Sequence, residues 1–199
     1  MAGPPPLLAT SRREAILAAA LELFRQGGFH AVGVDEIGTT AGISGPGVYR
    51  HFASKTALLV ALLDSISERM VIAAEDIQKA DGPPVVTLDR LIAFHAATAV
   101  TERALLAVWI RDGRSASHSD RERLRSREVE YVSHWTGTLA RLRPELSPAE
   151  AEALVHAALG AIDSVALHDS ALPADALQAL LADAARAVLQ HSARQPGAA

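Results

Sequence analysis

Apolar residues recur every three to four positions along nearly the whole of this 199-residue chain, and nowhere does the two-residue alternation of a strand persist. From Ser11 to Gln26, for example, Ile16, Leu17, Ala20, Leu21 and Phe24 fall at the spacings of one helix face. Alanine, the residue with the highest helix propensity, supplies about a fifth of the chain. The predicted fold class is therefore all-α. With 49% hydrophobic and 21% charged residues, the composition is that of an ordered globular protein. No cysteine is present, which excludes disulfide scaffolds, thiolate zinc sites and cysteine nucleophiles.

Glycines, prolines and small polar residues mark where the helices break. Gly27-Gly28 ends the first helix. A short piece from Val34 to Ala41 carries Val34, Ile37 and Ala41 on one side, and Gly42 breaks it. Ser44 is placed to cap a second short piece running from Gly45 to Phe52, with Pro46 in its first turn, where a missing N–H costs nothing. Ser54 can cap a long helix whose stripe of Leu58, Leu59, Leu62, Leu63, Ile66 and Met70 runs to about Lys79, before Asp81-Gly82-Pro83-Pro84 stops it. Helices near 85–100 and 102–112 precede a polar loop around 113–119. The segment 120–143 puts Leu124, Tyr131, Val132, Trp135, Leu139 and Leu142 on one face. Ser147-Pro148-Ala149-Glu150 reads as a capping box with proline at its first helical position, opening a helix to about Leu167. Pro173 begins a last helix to about His191, leaving residues 1–10 as an expected flexible arm and 192–199 as a frayed tail.

The net charge of −4 is unevenly spread: the first 56 residues carry one net positive charge and the remainder five negative ones. A uniformly basic nucleic-acid binder is excluded, so any phosphate-binding surface must be local. No segment approaches the ~20 uninterrupted apolar residues of a membrane span. Arg12 and Arg13 follow the short Leu7-Leu8-Ala9 run, the reverse of a secretory signal. A cytoplasmic chain with no membrane partner is expected.

The pattern Val34–Ala41, Gly42-Ile43-Ser44, Gly45–Phe52 has the arithmetic of a helix-turn-helix, with Gly42 supplying the positive φ of the turn and Val48 and Phe52 anchoring the second helix inward. Taken alone, it reads more readily as a tight helical corner, which many helical proteins contain. Gly27-Gly28-Phe29, Val34-Asp35-Glu36-Ile37, Ala41-Gly42-Ile43-Ser44, Val48-Tyr49-Arg50-His51-Phe52 and Ser54-Lys55-Thr56-Ala57-Leu58-Leu59, however, closely resemble the N-terminal domain of the tetracycline-repressor (TetR) family of bacterial transcription regulators, over roughly residues 11–63. The resemblance implies an arm at 1–10, a three-helix DNA-binding domain at 11–56 and a helical ligand-binding and dimerisation domain at 57–191. It also implies partners: double-stranded operator DNA, a second copy of the chain and a small-molecule effector. No cofactor or metal is implied.

By the same resemblance, Tyr49 and His51 would hydrogen-bond phosphate oxygens, Lys55 would add charge at the start of the long helix, and Thr39 and Thr40 are phosphate-donor candidates. Arg50 is the candidate base reader, because its planar fork matches guanine O6 and N7. Two departures from the family pattern stand out. Gly33 replaces the usual side-chain cap of the second helix, and Ser44-Gly45-Pro46-Gly47 removes two side chains that often touch bases. Sequence reading then leans on Ser44, Tyr49, Arg50, close backbone approach at Gly45, and DNA shape.

In the second half, Ala151, Ala153, Ala157, Ala158, Gly160 and Ala161 on one helix, with Ala176, Ala179, Ala182, Ala184, Ala185 and Ala187 on another, allow close helix approach, either to a twin or within the monomer. His95, Trp109, Arg111, Tyr131, Trp135, His156 and Asp163 are polar or aromatic residues on otherwise apolar faces. Each is accounted for singly by core packing; together they are candidates for an effector pocket. Trp109-Ile110-Arg111-Asp112 and Tyr131-Val132-Ser133-His134-Trp135 also look like the branch of the family that senses acyl-CoA thioesters. The row Arg121, Arg123, Arg125, Arg127 fits either an anionic head group or a solvated face. The rival readings are a helical interaction module without DNA binding, and a metal-dependent enzyme in which Glu130 and His134 would be joined by His156, Asp163 or His168. No phosphate-cradling loop or nucleophile elbow is present, and the chain is expected not to be an enzyme.

Overall fold

Nine α-helices and two short 3-10 turns account for the ordered elements of the computed structural model, which describes residues 11–191 and contains no strand among them. The expected arm at 1–10 and tail at 192–199 lie outside the described residues. In chain order the helices are α1 (Arg12–Gly27), α2 (Val34–Thr40), α3 (Gly45–Val48), α4 (Lys55–Lys79), α5 (Pro84–Thr101), α6 (Arg103–Asp112), α7 (His118–Leu142), α8 (Pro148–Asp163) and α9 (Ala174–Leu189).

The local signals for helix ends act as their chemistry requires. At Ser147 the hydroxyl oxygen accepts the Glu150 backbone N–H at 3.3 Å, while Glu150 accepts the Ser147 backbone N–H at 2.8 Å. A second capping box at Ser11 and Glu14, not read from the sequence, starts α1. Ser54 accepts the Ala57 N–H at 3.0 Å and starts α4. Gly42 takes the left-handed φ of 71° that its turn needs.

Two helices are shorter than their periodicity predicts. α3 ends at Val48 instead of Phe52, and the chain continues through the tighter bonds Arg50 N–H to Gly47 O and His51 N–H to Val48 O. Gly45 and Gly47, two of its four residues, are poor helix formers and leave it little helix propensity of its own. α8 gives way to a 3-10 turn at Ser164–Ala166 before the expected end at Leu167.

The described residues divide into two compact units, one made of residues 11–67 with 104–125, the other of 68–103 with 126–191. In the first, Ile16, Ala20 and Phe24 of α1, Ile37 of α2, Val48 and Phe52 around α3, and Leu58, Leu59 and Leu63 of α4 form the buried core. Arg111 and Asp112 at the end of α6 hold the end of α1: Arg111 donates to the carbonyls of Phe24 and Arg25, and buried Asp112 accepts the Phe29 N–H at 3.3 Å. In the second unit α5, α8 and α9 pack on one another around Leu91, Ile92, Val155, Ala158, Ile162, Leu181 and Ala185.

The tightest constraint in the first unit lies between α2 and α3. A Cβ placed on Gly38 would stand 3.0 Å from three backbone atoms, Gly45 N, Ile43 O and Ser44 C. One placed on Gly45 would meet the Asp35 carboxylate at 1.7 Å and the Asp35 Cα at 3.2 Å. Since backbone cannot rotate away as a side chain can, Gly38→Ala should cost roughly 1–3 kcal/mol of folding free energy, seen as a lower urea midpoint. Gly137→Ala is the internal comparison. Gly137 is exposed within α7, and nothing lies within 4 Å of its would-be Cβ, so this change should stabilise by up to about 1 kcal/mol through helix propensity.

Candidate nucleic-acid interface

The register of α3 sorts its residues into two faces. Gly45, Val48 and Phe52, at spacings of three and four, are buried, with Val48 1% exposed. The guanidinium of Arg13 lies over the Phe52 ring at 4.8 Å and covers it from α1, a contact with no signature in the sequence. Opposite, Pro46, Tyr49, Arg50 and His51 are exposed, Tyr49 by 54%. Thr39 and Thr40, at the end of α2, are exposed as well. Of the residues singled out in the sequence, Thr39, Thr40, Ser44, Tyr49, Arg50 and His51 thus present themselves to solvent around one corner.

Three of these expectations need adjustment. Gly45 is turned inward against Asp35, so its missing side chain serves the α2–α3 contact and offers nothing to a duplex. Ser44 and Thr39 are exposed but engaged: the Ser44 oxygen accepts the Gly47 N–H at 3.3 Å, and the Thr39 hydroxyl donates to Asp35 O at 2.9 Å. Gly33, as its lack of a side chain dictates, provides no side-chain cap to α2.

Lys55 departs furthest from expectation. Its ammonium group donates to Phe29 O and Val32 O at 2.8 Å each, lies 3.5 Å from His30 O, and sits 4.6 Å from the centre of the Phe29 ring. Three N–H donors meet three carbonyls of the α1–α2 connection, so the charge is directed at the chain's own backbone and not outward. Carbonyls left by a loop of irregular conformation need donors, and a lysine at the first position of α4 reaches them.

The effector-pocket candidates separate in the same way. His95, Tyr131, Trp135 and Asp163 converge from α5, α7 and α8. His95 Nδ1 is 3.0 Å from the Tyr131 hydroxyl and its Nε2 is 2.9 Å from Asp163 Oδ1. Burial pushes the Tyr131 phenol far up, which keeps its proton in place. The arrangement that satisfies every partner has Tyr131 donating to Nδ1 and Nε2–H donating to Asp163. The His95 and Tyr131 rings stack at 5.7 Å, with Trp135 edge-on to His95 at 5.9 Å. The Trp135 indole nitrogen is buried without a hydrogen-bond partner among the described residues. The other three stand apart. Arg111 is committed to the α1 carbonyls, His156 is exposed on α8 beside Glu152, and Trp109 is half-buried on α6.

A separate cavity of about 290 Å³ in the second unit is lined by Val85, Leu88, Ile92, Leu139, Leu142 and Leu189, with Arg143 and Arg186 among its polar residues. Among the described residues no three His, Asp or Glu side chains converge to hold a metal ion, and Glu130 and His134 gain no third ligand. No single helix among them is long and apolar enough to cross a membrane.

Comparison with known proteins agrees with this geometry. Residues 16–62 match the profile described as bacterial regulatory proteins, tetR family. The transcriptional activator FasR of Mycolicibacterium smegmatis is 45% identical over 60 residues, which are 30% of this chain and 27% of FasR, so the match spans little more than a quarter of that relative. The transcriptional regulator BetI of Rhizobium meliloti is 30% identical over 162 residues, covering 80% of this chain and 78% of BetI. Among solved structures, AibR in complex with isovaleryl coenzyme A and operator DNA superposes with a TM-score of 0.73 over 87% of this chain and 97% of AibR, at 18% identity, a likeness of fold. With its helix-turn-helix matched by the family profile and a relative aligned along four-fifths of its length, the chain belongs to the tetR family of bacterial regulatory proteins.

Proposed function

We propose that this protein is a dimeric, ligand-responsive transcriptional regulator, a repressor that leaves its operator when a small hydrophobic effector binds. Residues 11–56 are the DNA-binding domain in this reading, and 57–191 the ligand-binding and dimerisation domain. The observation that carries it is the exposed row Pro46, Tyr49, Arg50 and His51, backed by the buried Val48 and Phe52. Such a face presents a planar arginine fork for a base edge and a phenol and an imidazole for phosphate oxygens, in the manner of a helix seated in a major groove. A protein of this kind works in the cytoplasm, where the operator is, and performs no catalysis.

Dimerisation is supported by the outer faces of α8 and α9. Ala153, Ala157 and Gly160 on the first, and Ala176, Leu180, Ala184 and Ala187 on the second, are exposed or half-buried, and Leu167 is 71% exposed. Ala151, Ala158, Ala182 and Ala185, by contrast, are buried within the chain and serve α8–α9 packing. A symmetric pair of these faces would form a four-helix interface and hold two copies of α3 about 34–36 Å apart, one turn of duplex.

For the effector, the buried group of His95, Tyr131, Trp135 and Asp163 supplies aromatic surface and a polar end. AibR, bound to isovaleryl coenzyme A, makes an acyl thioester the first class to try. The α7 arginines give less support to the charged portion of such a ligand, since Arg121 donates to Ala116 O at 2.6 Å and Arg123 is paired with Asp64 and Asp120. Effector binding acts by favouring one conformer over another, and a coupling of ~1–3 kcal/mol suffices.

Fluorescence anisotropy on duplexes selected from a random library tests the DNA-binding reading. Affinity should fall steeply with salt, because neutralised phosphates release counterions. Arg50→Ala should weaken binding by roughly 1–3 kcal/mol and relax preference at one base step, with the melting temperature unchanged. Lys55→Met should do the opposite, lowering folding stability by about 1–3 kcal/mol while leaving the salt slope near that of the parent chain. Salt-insensitive binding without sequence preference would refute the reading. For the dimer, Leu180→Asp should shift the sedimentation coefficient to that of a monomer and lower operator affinity with it. A monomeric parent chain that binds a full palindrome as tightly would overturn the α8–α9 assignment.

A further inference from the structure

Three helices line the cavity of about 290 Å³ in the second unit: α5 through Val85, Leu88 and Ile92, α7 through Leu139 and Leu142, and α9 through Leu189. The α5 residues stand three and four apart, so they share one helix face. Ile92, Leu139 and Leu189 are each at most 2% exposed, whereas Val85 is 55% exposed. The space is therefore floored by the core and reaches solvent at the start of α5. Ile92 precedes His95 by one turn of α5, and Leu139 follows Trp135 by one turn of α7. The third wall differs: it is α9 here, where the His95 group takes Asp163 from α8.

Size and charge narrow the occupant. An apolar cavity of about 150 Å³ takes benzene, so one of about 290 Å³ takes a molecule of roughly ten to twelve non-hydrogen atoms. Two cations border the space, and both are committed. Arg143 donates to Glu145 at 2.6 Å and to the carbonyls of Leu189 and His191, and Arg186 donates to Asp89 and Asp183 at 2.8 Å each. Three carboxylates answer two guanidiniums, so no positive charge is left over to offset the burial of an anion. The carboxylates are themselves more than half exposed and lie largely in water, which leaves a buried cation only aliphatic walls. Water is matched no better, since it needs two to four polar partners. Residues 192–199, which follow α9, include no leucine, isoleucine, valine, methionine or aromatic residue to fill the space.

We propose that this cavity is a second small-molecule site, taking an uncharged apolar compound of that size, entered at the start of α5 and walled by α9. An occupant touches α5, α7 and α9 together. It thereby stabilises the seating of α9, the helix whose outer face the dimer reading uses, and the site exists whether or not that reading holds.

Two uncharged probes of about eleven non-hydrogen atoms each, 2-naphthol and decan-1-ol, represent the flat and the extended shapes such a space accepts. They are titrated into the full-length chain carrying carbon-13 in its leucine, isoleucine and valine methyl groups. At least one probe should move the resonances of Leu88, Ile92, Leu139 and Leu189 to saturation and raise the melting temperature, because it binds the folded chain alone. The anions 2-naphthoate and decanoate should bind at least about tenfold more weakly. Leu142→Trp, which puts a larger side chain into the space, should lower probe affinity by at least about tenfold without lowering the melting temperature. Saturation by neither alcohol, shifts confined to the methyl groups nearest His95 and Trp135, anions bound as tightly as the alcohols, or an undiminished affinity in folded Leu142→Trp overturns the assignment. Resonances that move with protein concentration and with neither alcohol also overturn it, and give the surface to a second copy of the chain. The spectra of the parent chain decide the matter whether or not the variant folds.

Discussion

The close approach of α2 and α3 at Gly38 and Gly45 is the constraint on which the exposed face depends. At Gly38 backbone meets backbone with no side chain between, at Gly45 the Asp35 carboxylate fills the space a Cβ would take, and neither residue has room for a Cβ without displacement. That contact sets the rotation of α3 about its own axis. With Gly45 turned inward, Val48 and Phe52 follow at three and seven residues and Pro46, Tyr49 and Arg50 are forced outward. A four-residue helix has too few hydrogen bonds to hold an orientation alone. Its direction is imposed by packing: from α2 through the glycine pair, and from α1 through Arg13 on Phe52.

The connection between α1 and α2 is held by polar contacts as well as by the buried Phe29 and Val32. Lys55 reaches it from α4, Asp112 and Arg111 from α6, and Ser115 from the 3-10 turn, where its hydroxyl lies 3.1 Å from His30 Nε2. Lys55, Asp112 and Ser115 are separated from their partners in the connection by between 23 and 85 residues of sequence. The exposed corner is therefore supported by side chains from helices that lie in the chain's second half as well as its first.

What was legible in the sequence was what is decided locally. The helix caps at Ser44, Ser54 and Ser147, the positive φ at Gly42 and the inward pair Val48 and Phe52 depend on neighbours within a few residues, and each acts as its spacing indicates. The residues whose surroundings are hidden in the sequence are those with partners set at a distance. Gly45 looks like a gap on the outer surface, because nothing in the order of residues reveals that Asp35 occupies that space. Arg111 looks like a pocket residue because it follows the apolar Trp109 and Ile110, yet its partners are carbonyls of α1. His156 interrupts a run of alanines, but those alanines belong partly to the outer face of α8. His95, Tyr131 and Asp163, in contrast, do come together, since a polar residue on a buried face must find another polar residue there.

The recurrence of arginine has a structural reason that composition alone does not show. Helices leave their last carbonyls without partners, and a cation there also meets the negative end of the helix dipole. Arginine answers this repeatedly in the present fold. Arg111 donates to the last turn of α1, Arg143 to Leu189 O and His191 O at the end of α9, and Arg103 to Val165 O and His168 O beyond the end of α8. A guanidinium presents five N–H donors in a fixed plane, so one side chain can serve two carbonyls and a carboxylate together, as Arg103 does with Asp169. The cost is that such arginines are poor candidates for binding anything else. Prior commitment to the backbone, and not distance from a cavity, separates the exposed Arg50 just beyond α3 from Arg103, Arg111 and Arg143: a cation becomes available to a ligand where the fold has no orphaned carbonyl for it to satisfy.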